Sequence, residues 1–278
     1  MTKVLYTADL HGNEIQYDKL VSRAIETHAD VVIIGGDLAP KGRPFDSTYV
    51  EKQRKFLEER LPKIFEKLRS KSPDTEVFIM MGNDDCASHL HVLEKHADMY
   101  TIIHNNRINL HDNYDIIGYS IVPITPFGST KDWEKYDMSD ISETDAEEYE
   151  ERKKSGYNLQ GLKSTESDLV DFSFDPTTEA IDSIQKDLTD SVFTKNPEKT
   201  VYITHSPPHD TCLDQIEGGI HVGSFAVREF IETHQPYLTL HGHIHETVDI
   251  SGEFTQQIGK TVSASPGNHN IGETLCIL

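Results

Sequence analysis

Side chains that commonly bind metal ions follow five short apolar runs of this sequence. The runs span residues 3–8, 30–34, 77–81, 200–204 and 237–240, and runs of this length bounded by turn residues are typical of buried strands. The side chains that follow them are carboxylates, imidazoles and an amide: Asp9, His11, Asp37, Asn83, His205, His243 and His245. Because the carboxyl ends of neighbouring strands meet at one edge of an α/β sheet, we expect these side chains to converge on a binuclear metal site.

The ligand types limit which ions such a site would take. Imidazoles with carboxylates and an amide oxygen, and without a thiolate, favour Mn, Fe, Zn, Ni or Co over Ca or a Cys-rich structural zinc. Asp9 and His11 are two residues apart, so an extended backbone places them on one face. Gly35 and Gly36 allow the tight turn that brings Asp37 towards the ion that Asp9 binds.

The segments between these motifs predict the elements that position them. Helical spacing of apolar residues occurs over residues 14–27, 49–70 and 178–193, and residues 107–122 look like paired strands. Three β-like pieces follow His245, namely residues 247–250, 261–264 and 274–278, and we expect them to complete a second sheet. His269 lies in the turn between two of these pieces and is interpreted as structural. The pattern predicts an α/β sandwich with its site at the carboxyl ends of the strands.

In this order the motifs resemble those of the calcineurin-like metallophosphoesterase superfamily. They are Asp9-x-His11-Gly12-Asn13, Gly36-Asp37, Gly82-Asn83-Asp84, His205 and Gly242-His243-x-His245. Further features are similar to the Icc-related branch of that superfamily: Thr125-Pro126-Phe127, Lys131-Asp132-Trp133-Glu134, His205-Ser206-Pro207-Pro208 and His221-Val222-Gly223-Ser224. The resemblance implies a four-layer α/β/β/α sandwich of two mixed β-sheets flanked by helices.

The resemblance also implies how the ligands divide between two ions. Asp9, His11, Asp37 and His245 would hold the first ion. Asp37, Asn83, His205 and His243 would hold the second, so that Asp37 bridges two ions about 3.5 to 4 Å apart. Mn or Fe is the expected metal, with Zn, Ni and Co as alternatives. A hydroxide that bridges the ions would attack a small phosphomonoester or phosphodiester.

One departure from the family pattern concerns the proton that the leaving group needs. The family usually has His after Gly-Asn in the third motif, and Asp84 stands there in this sequence. Two nearby cations would lower the pKa of Asp84, so we expect it to be unprotonated at neutral pH. The enzyme then prefers esters with good leaving groups, or is feeble, or takes the proton from His209 or His221. His221 precedes a helix-start pattern, although an ordinary loop histidine is an equally good interpretation.

Length and composition agree with an enzyme of this kind. The chain of 278 residues is 36% hydrophobic and is interpreted as a single domain, residues 1–278, with a polar insertion over about 129–175 that acts as a cap or an oligomer contact. Trp133 at its entry either packs against the body or stacks on a nucleobase. Cys86, Cys212 and Cys276 lack zinc spacing, which favours a cytoplasmic protein with reduced thiols. We expect no membrane anchor, because no apolar stretch is long enough.

The formal charge of −21 argues against binding of long nucleic acids, because phosphate contacts need clustered Lys and Arg. A nuclease for long polymers is therefore the weakest hypothesis. Two hypotheses remain: a phosphoesterase for small esters, and a metal-binding scaffold with little turnover because of Asp84.

Overall fold

The computed structural model describes residues 2–110, 113–138, 140, 145–268, 275 and 277. Its strands are β1 (Val4–Thr7), β2 (Val31–Gly35), β3 (Glu76–Met80), β4 (Thr101–Ile102), β5 (Ile108–Asn109), β6 (Asp115–Tyr119), β7 (Val122–Pro123), β8 (Glu134–Lys135), β9 (Gln160–Ser164), β10 (Leu169–Ser173), β11 (Thr200–Thr204), β12 (Gln215–Ile216), β13 (Ile220–His221), β14 (Leu238–Leu240), β15 (Thr255–Ile258) and β16 (Thr261–Ala264). Its α-helices are α1 (Glu14–Thr27), α2 (Ser47–Lys55), α3 (Leu61–Lys71), α4 (Leu90–Glu94), α5 (Ala146–Gly156), α6 (Ile184–Leu188), α7 (Ser191–Thr194), α8 (Phe225–His234) and α9 (Thr247–Ser251).

Two sheets form the centre of the molecule. The first has the strand order β1-β2-β3-β4, and its neighbouring strands are all parallel. The second has the order β15-β16-β14-β11-β6-β5. Its four inner strands run parallel, and β5 and β15 are antiparallel at the edges. The second sheet is therefore mixed as predicted, whereas the first is parallel throughout these four strands.

Alternation of side chains along the strands produces the layers. One set of buried residues comes from both sheets and fills the space between them; its members include Tyr6, Ile33, Phe78, Ile116 and Ile203. The alternate residues of the same strands belong to a second buried cluster that includes the apolar faces of α1, α3 and α8. Because successive strand residues point to opposite faces, each sheet packs on its partner with one face and on helices with the other. The predicted four-layer α/β/β/α sandwich is confirmed.

Most of the predicted elements are present. All five apolar runs are strands, namely β1, β2, β3, β11 and β14, and residues 14–27 are helix α1. Residues 49–70 fall in α2 and α3, which a π-helical turn at Phe56–Arg60 joins. The paired strands expected over residues 107–122 are β5 and β6, and residues 261–264 are strand β16.

Two predicted elements are wrong. The continuous helix over residues 178–193 is interrupted: Ser183 caps the separate helix α6, and Asp190 caps α7. The strand at residues 247–250 is instead helix α9. The predicted strand at 274–278, together with His269 and Cys276, lies outside the described residues.

The polar insertion contains both strands and a helix. Within 129–175 the structure has β8, helix α5 and the antiparallel hairpin of β9 and β10. Trp133 is buried, and its indole Nε1 donates to the Asp85 carbonyl at 2.9 Å. Trp133 therefore packs against the body, as one of the two alternatives predicted. In the part of the chain that the structure describes, no helix is long and apolar enough to cross a membrane.

Candidate metal centre

The loops that follow the central strands carry the predicted ligands with unusual backbone geometry. Asp9, His11, Asp37 and His243 have φ angles of +59°, +45°, +53° and +67°. Residues other than glycine rarely adopt this left-handed backbone region. Those that do are concentrated at functional sites, where the surrounding structure holds them in place. The sharp turns they make redirect the chain at the carboxyl ends of β1, β2 and β14, and so direct these side chains to one place.

Four of the predicted ligands form a first group. Asp9, His11, Asp37 and His245 each offer a ligand atom within 4.8 Å of the others, and together they could hold a metal ion. The Nε2 atoms of His11 and His245 are 3.1 Å apart. His245 Nε2 lies 3.5 Å from Asp9 Oδ1, and His11 Nε2 lies 3.7 Å from Asp37 Oδ2. This is the set that the family resemblance assigns to the first ion.

The remaining predicted ligands converge beside the first group. Asn83 Oδ1 lies 2.7 Å from His243 Nδ1 and 3.1 Å from His205 Nε2. His205 Nε2 is in turn 3.5 Å from Asp37 Oδ2. Asp37 thus lies between the two groups and contacts both. The structure therefore brings together all seven side chains that the sequence selected.

Burial and charge act in opposite directions on these groups. Burial alone would raise the pKa of Asp37, but the imidazoles of His205 and His11 outweigh it and lower that pKa. Burial likewise opposes protonation of His205, yet the Asp37 and Asp9 carboxylates raise its pKa to about 9. Burial lowers the pKa of His11 and of His243 to about 3. His11 and His243 are consequently neutral at neutral pH, which is the form that coordinates metals.

The donor set fits the transition-metal ions expected from the sequence. Two buried carboxylates, an amide oxygen and four imidazoles surround a common space. Buried carboxylates at this density need compensating positive charge, and neutral imidazoles cannot supply it. Before any ion binds, protonated His205 provides part of that charge. A pair of divalent ions would replace it, because His205 must lose its proton to act as a ligand.

A carboxylate that the sequence interpretation did not select holds two of the loops together. The Asp85 side chain is fully buried, and it accepts hydrogen bonds from the backbone N–H groups of Leu38, Ala39 and Gly82 at 2.8 to 2.9 Å. It thereby joins the turn that carries Asp37 to the turn that carries Asn83. Its place directly after the third motif was the signal available in the sequence.

A glycine is required where these loops meet. A β-carbon added to Gly82 would lie 2.5 Å from the backbone nitrogen of Asp37 and 2.7 Å from His205 Nε2. Any larger residue at this position would therefore push two ligands apart.

Lys41 is a second residue that the sequence interpretation missed. Its ammonium Nζ lies 3.1 Å from His11 Nε2. Burial is the main reason that the pKa of His11 is low, and the charge of Lys41 lowers it further. Nothing in its spacing marked Lys41, because it follows the Gly36-Asp37 motif in a stretch without further ligand residues. Lys41 therefore brings an ammonium group to the edge of the cluster.

Asp84 lies against the first group. Its carboxylate Oδ2 is 3.8 Å from His11 Nδ1, and its backbone N–H donates to Asp37 Oδ1 at 2.8 Å. Before any cation binds, burial and the Asp37 carboxylate raise the pKa of Asp84 to about 7. Bound cations would act in the opposite direction, so an unprotonated Asp84 in the loaded site stays a prediction.

The two histidines considered as proton donors lie together outside the cluster. Both face Asp214: His221 Nδ1 is 2.7 Å from its carboxylate, and His209 Nδ1 is 3.6 Å from it. Among the described residues, no hydrogen bond or ion pair joins either histidine to the seven predicted ligands. A catalytic role for His221 thus stays a prediction at this stage.

Comparison with known proteins identifies the family. The family model of the calcineurin-like phosphoesterases matches residues 2–247. A solved crystal structure is similar with 15% sequence identity and a TM-score of 0.55, over 95% of this chain and 90% of that one. The crystal structure of the protein TT1561 of Thermus thermophilus is similar with 16% identity and a TM-score of 0.52, over 96% and 90% of the two chains. Among curated proteins none matches the sequence. The family model covers nearly the whole chain and every predicted ligand, and the chain belongs to the calcineurin-like phosphoesterase family.

Proposed function

We propose that this protein is a metal-dependent hydrolase of small phosphomonoesters or phosphodiesters. The observation that carries the proposal is the position of Asp37, which contacts His11 of one ligand group and His205 of the other. A carboxylate shared in this way suits a pair of ions, for which we propose Mn or Fe. When bound, such ions supply an activated water and positive charge for the phosphoryl oxygens.

The protein's own residues would retain and orient that pair of ions. Asp9 and Asp37 supply the negative charge, and both are almost completely buried. Asp9 also accepts a hydrogen bond from the backbone N–H of His243 at 3.1 Å, so it fixes the loop that carries two histidine ligands. His205 Nδ1 is 2.8 Å from the carbonyl of Gly35, which orients Nε2 towards Asn83 and Asp37. Such support of the ligands is a common requirement of working metal sites.

Charge supports small substrates over polymers. The formal charge is −21, and a long nucleic acid would meet that negative field along its whole length. A small ester needs positive charge only at the cluster, where Lys41 and the ions would provide it.

A cytoplasmic location is part of the proposal. Free thiols, such as those of Cys86 and Cys212, are typical of a reducing compartment and support this location.

Hydrolysis of simple esters tests the proposal. Purified protein supplied with Mn should hydrolyse 4-nitrophenyl phosphate, its bis ester or a member of a cyclic-nucleotide panel. The Asp37→Ala variant, prepared and supplied with Mn in the same way, is the matched control and should be inactive. Absence of turnover on every substrate, with metal binding intact, would contradict the proposal.

A second candidate function follows from Asp84. Asp84 occupies the place of the usual family histidine and contacts His11, so the protein could be a metal-binding scaffold with little turnover. Under this hypothesis the wild type binds metal but is inactive, and Asp84→His restores activity. Under the first hypothesis the wild type is already active.

A further inference from the structure

A histidine and a buried carboxylate outside the metal centre are arranged as a proton-donating pair. His221 Nδ1 lies 2.7 Å from Asp214 Oδ1, and the side chains are 26% and 0% exposed, respectively. Because a carboxylate can only accept, Nδ1 carries the hydrogen of this bond, and Nε2 is left for the proton that can be exchanged. Nε2 lies 3.8 Å from Oδ1 of Asp210, whose side chain is exposed.

Asp214 is held rigidly. Its Oδ1 accepts from the backbone N–H and the hydroxyl of Thr211 at 2.9 and 3.2 Å, and its Oδ2 accepts from the Gly223 N–H at 2.9 Å. A carboxylate fixed by these bonds cannot turn away, so it determines the orientation of the His221 imidazole. A carboxylate fixed in this way holds an imidazole in the orientation and tautomer that acid catalysis requires.

The segment that carries the pair is fastened to both histidine loops of the metal centre. The backbone N–H of Ser224 donates to the carbonyl of Pro207 at 2.8 Å, and Pro207 is two residues after His205. The N–H of Gln215 donates to the hydroxyl of Thr247 at 3.1 Å, and Thr247 is two residues after His245. The pair therefore lies at the same edge of the second sheet as these ligands.

The approach between these segments is close. A β-carbon on Gly223 would be 2.7 Å from the carbonyl oxygens of both Pro207 and Pro208. Only glycine allows the chain after His221 to pass this near to the His205 loop.

The alternative donors are less suitable. The side chain of His209 is 5% exposed, its Nε2 is 2.9 Å from Glu148 Oε1, and its ring stacks on Phe225 at 3.8 Å. Its Nε2 is therefore paired with a carboxylate, and one face of its ring is covered. Asp84 adjoins the cluster, where bound cations would keep it ionised.

We propose that His221 donates the proton to the leaving oxygen of the substrate and that Asp214 is its positioning residue; this inference rests on the proposed phosphoesterase function. A water oxygen forms a bond to phosphorus and releases a proton to solvent. The bond from phosphorus to the leaving oxygen breaks, and its electron pair stays on that oxygen. The oxygen takes the proton from His221 Nε2. The imidazole is then neutral, and its Nδ1–H still donates to the Asp214 carboxylate. Solvent protonates Nε2 again.

Charged and titratable groups from several elements surround the His221 ring. Asp214 and Asp210 are the carboxylates, and the His209 ring lies 5.9 Å away between ring centres. From the insertion, Arg152 donates to the carbonyls of Val222 and Gly223, and Glu148 approaches His209.

Leaving-group dependence tests the pair. 4-Nitrophenolate leaves without a proton, whereas phenyl and alkyl esters need one. In the Mn-loaded protein, His221→Asn should lower turnover of phenyl phosphate roughly a hundredfold, while 4-nitrophenyl phosphate hydrolysis falls less than about threefold. Asp214→Asn should show the same selective loss, and the double variant should match His221→Asn. His209→Asn is the control beside the same carboxylate, and its two substrates should change in parallel.

A second readout does not depend on activity. Nitrogen NMR of labelled histidine in the metal-free protein should show neutral His221 protonated at Nδ1 and should show the other tautomer in Asp214→Asn. A substitution at the buried Asp214 can prevent folding. His221→Asn changes the partly exposed member of the pair and therefore tests the pair independently. Equal losses on both esters in His221→Asn, or a further selective loss on adding Asp214→Asn to it, would overturn the inference. If the wild type hydrolyses neither ester, the result would instead count against the proposed function.

Discussion

His11 and His245 meet with their Nε2 atoms 3.1 Å apart, although 234 positions separate them in the chain. The first residue belongs to the loop after β1 and the second to the loop after β14, so the two sheets contribute one imidazole each to the same group. An ion held there would link the beginning of the fold to its end. The metal centre is therefore expected to stabilise the protein as well as to serve its chemistry.

Metal removal should lower the thermal stability of the folded protein. Ligands that bind only the folded state stabilise it by mass action, by about 2.7 kcal/mol at a hundred times Kd. For a chain of this size each kcal/mol corresponds to about 2 to 4 °C. Differential scanning calorimetry with and without a chelator measures the change. His245→Asn should shrink the difference, and an unchanged midpoint in the wild type would contradict the expectation.

Substitutions should separate the two ligand groups. Asp37→Ala should remove both ions, because it deletes the carboxylate that contacts His11 and His205. Asn83→Ala should weaken only the second site, since Asn83 contacts His243 and His205, which belong to that site. Elemental analysis after dialysis counts the ions in each variant. Two ions retained in Asp37→Ala would show that the proposed division of ligands is wrong.

A buried ion pair in the insertion should contribute strongly to stability. Lys131 Nζ lies 2.7 Å from Glu134 Oε2, and the side chains are 0% and 1% exposed. Removing one partner leaves an uncompensated buried charge, so Lys131→Met should lower the free energy of unfolding by about 3 to 5 kcal/mol. Urea titration measures this free energy. The double variant with Glu134→Gln should recover part of the loss.

The exposed pair of Lys55 and Glu51 provides the matched control. Its side chains are 58% and 53% exposed, and ion pairs in water contribute little to stability. Lys55→Met should therefore have a small effect. Equal losses in the Lys131 and Lys55 variants would contradict the role assigned to burial.

The metal ligands could be predicted because strand and ligand signals coincide. Strands such as β2, whose residues are all buried, appear as uninterrupted apolar runs, and the turn that ends each run is visible in the letters Gly and Asp. Asp214 and Lys41 carry no such signal. Their positions depend on contacts between distant segments, which local sequence patterns do not specify.

The two wrong elements have different causes. Residues 247–250 have a β-branched pattern, but the Thr247 hydroxyl donates to the carbonyl of Cys212 and accepts from the N–H of Gln215, and these contacts hold the segment as helix α9. Residues 178–193 keep helical spacing, yet the Ser183 hydroxyl accepts from the N–H of Lys186 and starts a new helix. Tertiary contacts outweighed the local pattern at 247–250, and a local N-cap interrupted the helix at 178–193.

The folded protein should lose stability between about pH 6.5 and 4 partly through His104. Burial lowers the pKa of His104 to about 4, and its Nδ1 accepts from the Ser120 N–H at 3.0 Å, which requires that atom to lack a proton. The unfolded chain, with an ordinary histidine pKa of about 6.5, binds the proton first, so acid favours unfolding. His104→Asn keeps an acceptor but cannot titrate. Urea unfolding across this pH range should therefore give a shallower slope for His104→Asn, and parallel slopes would contradict the assignment.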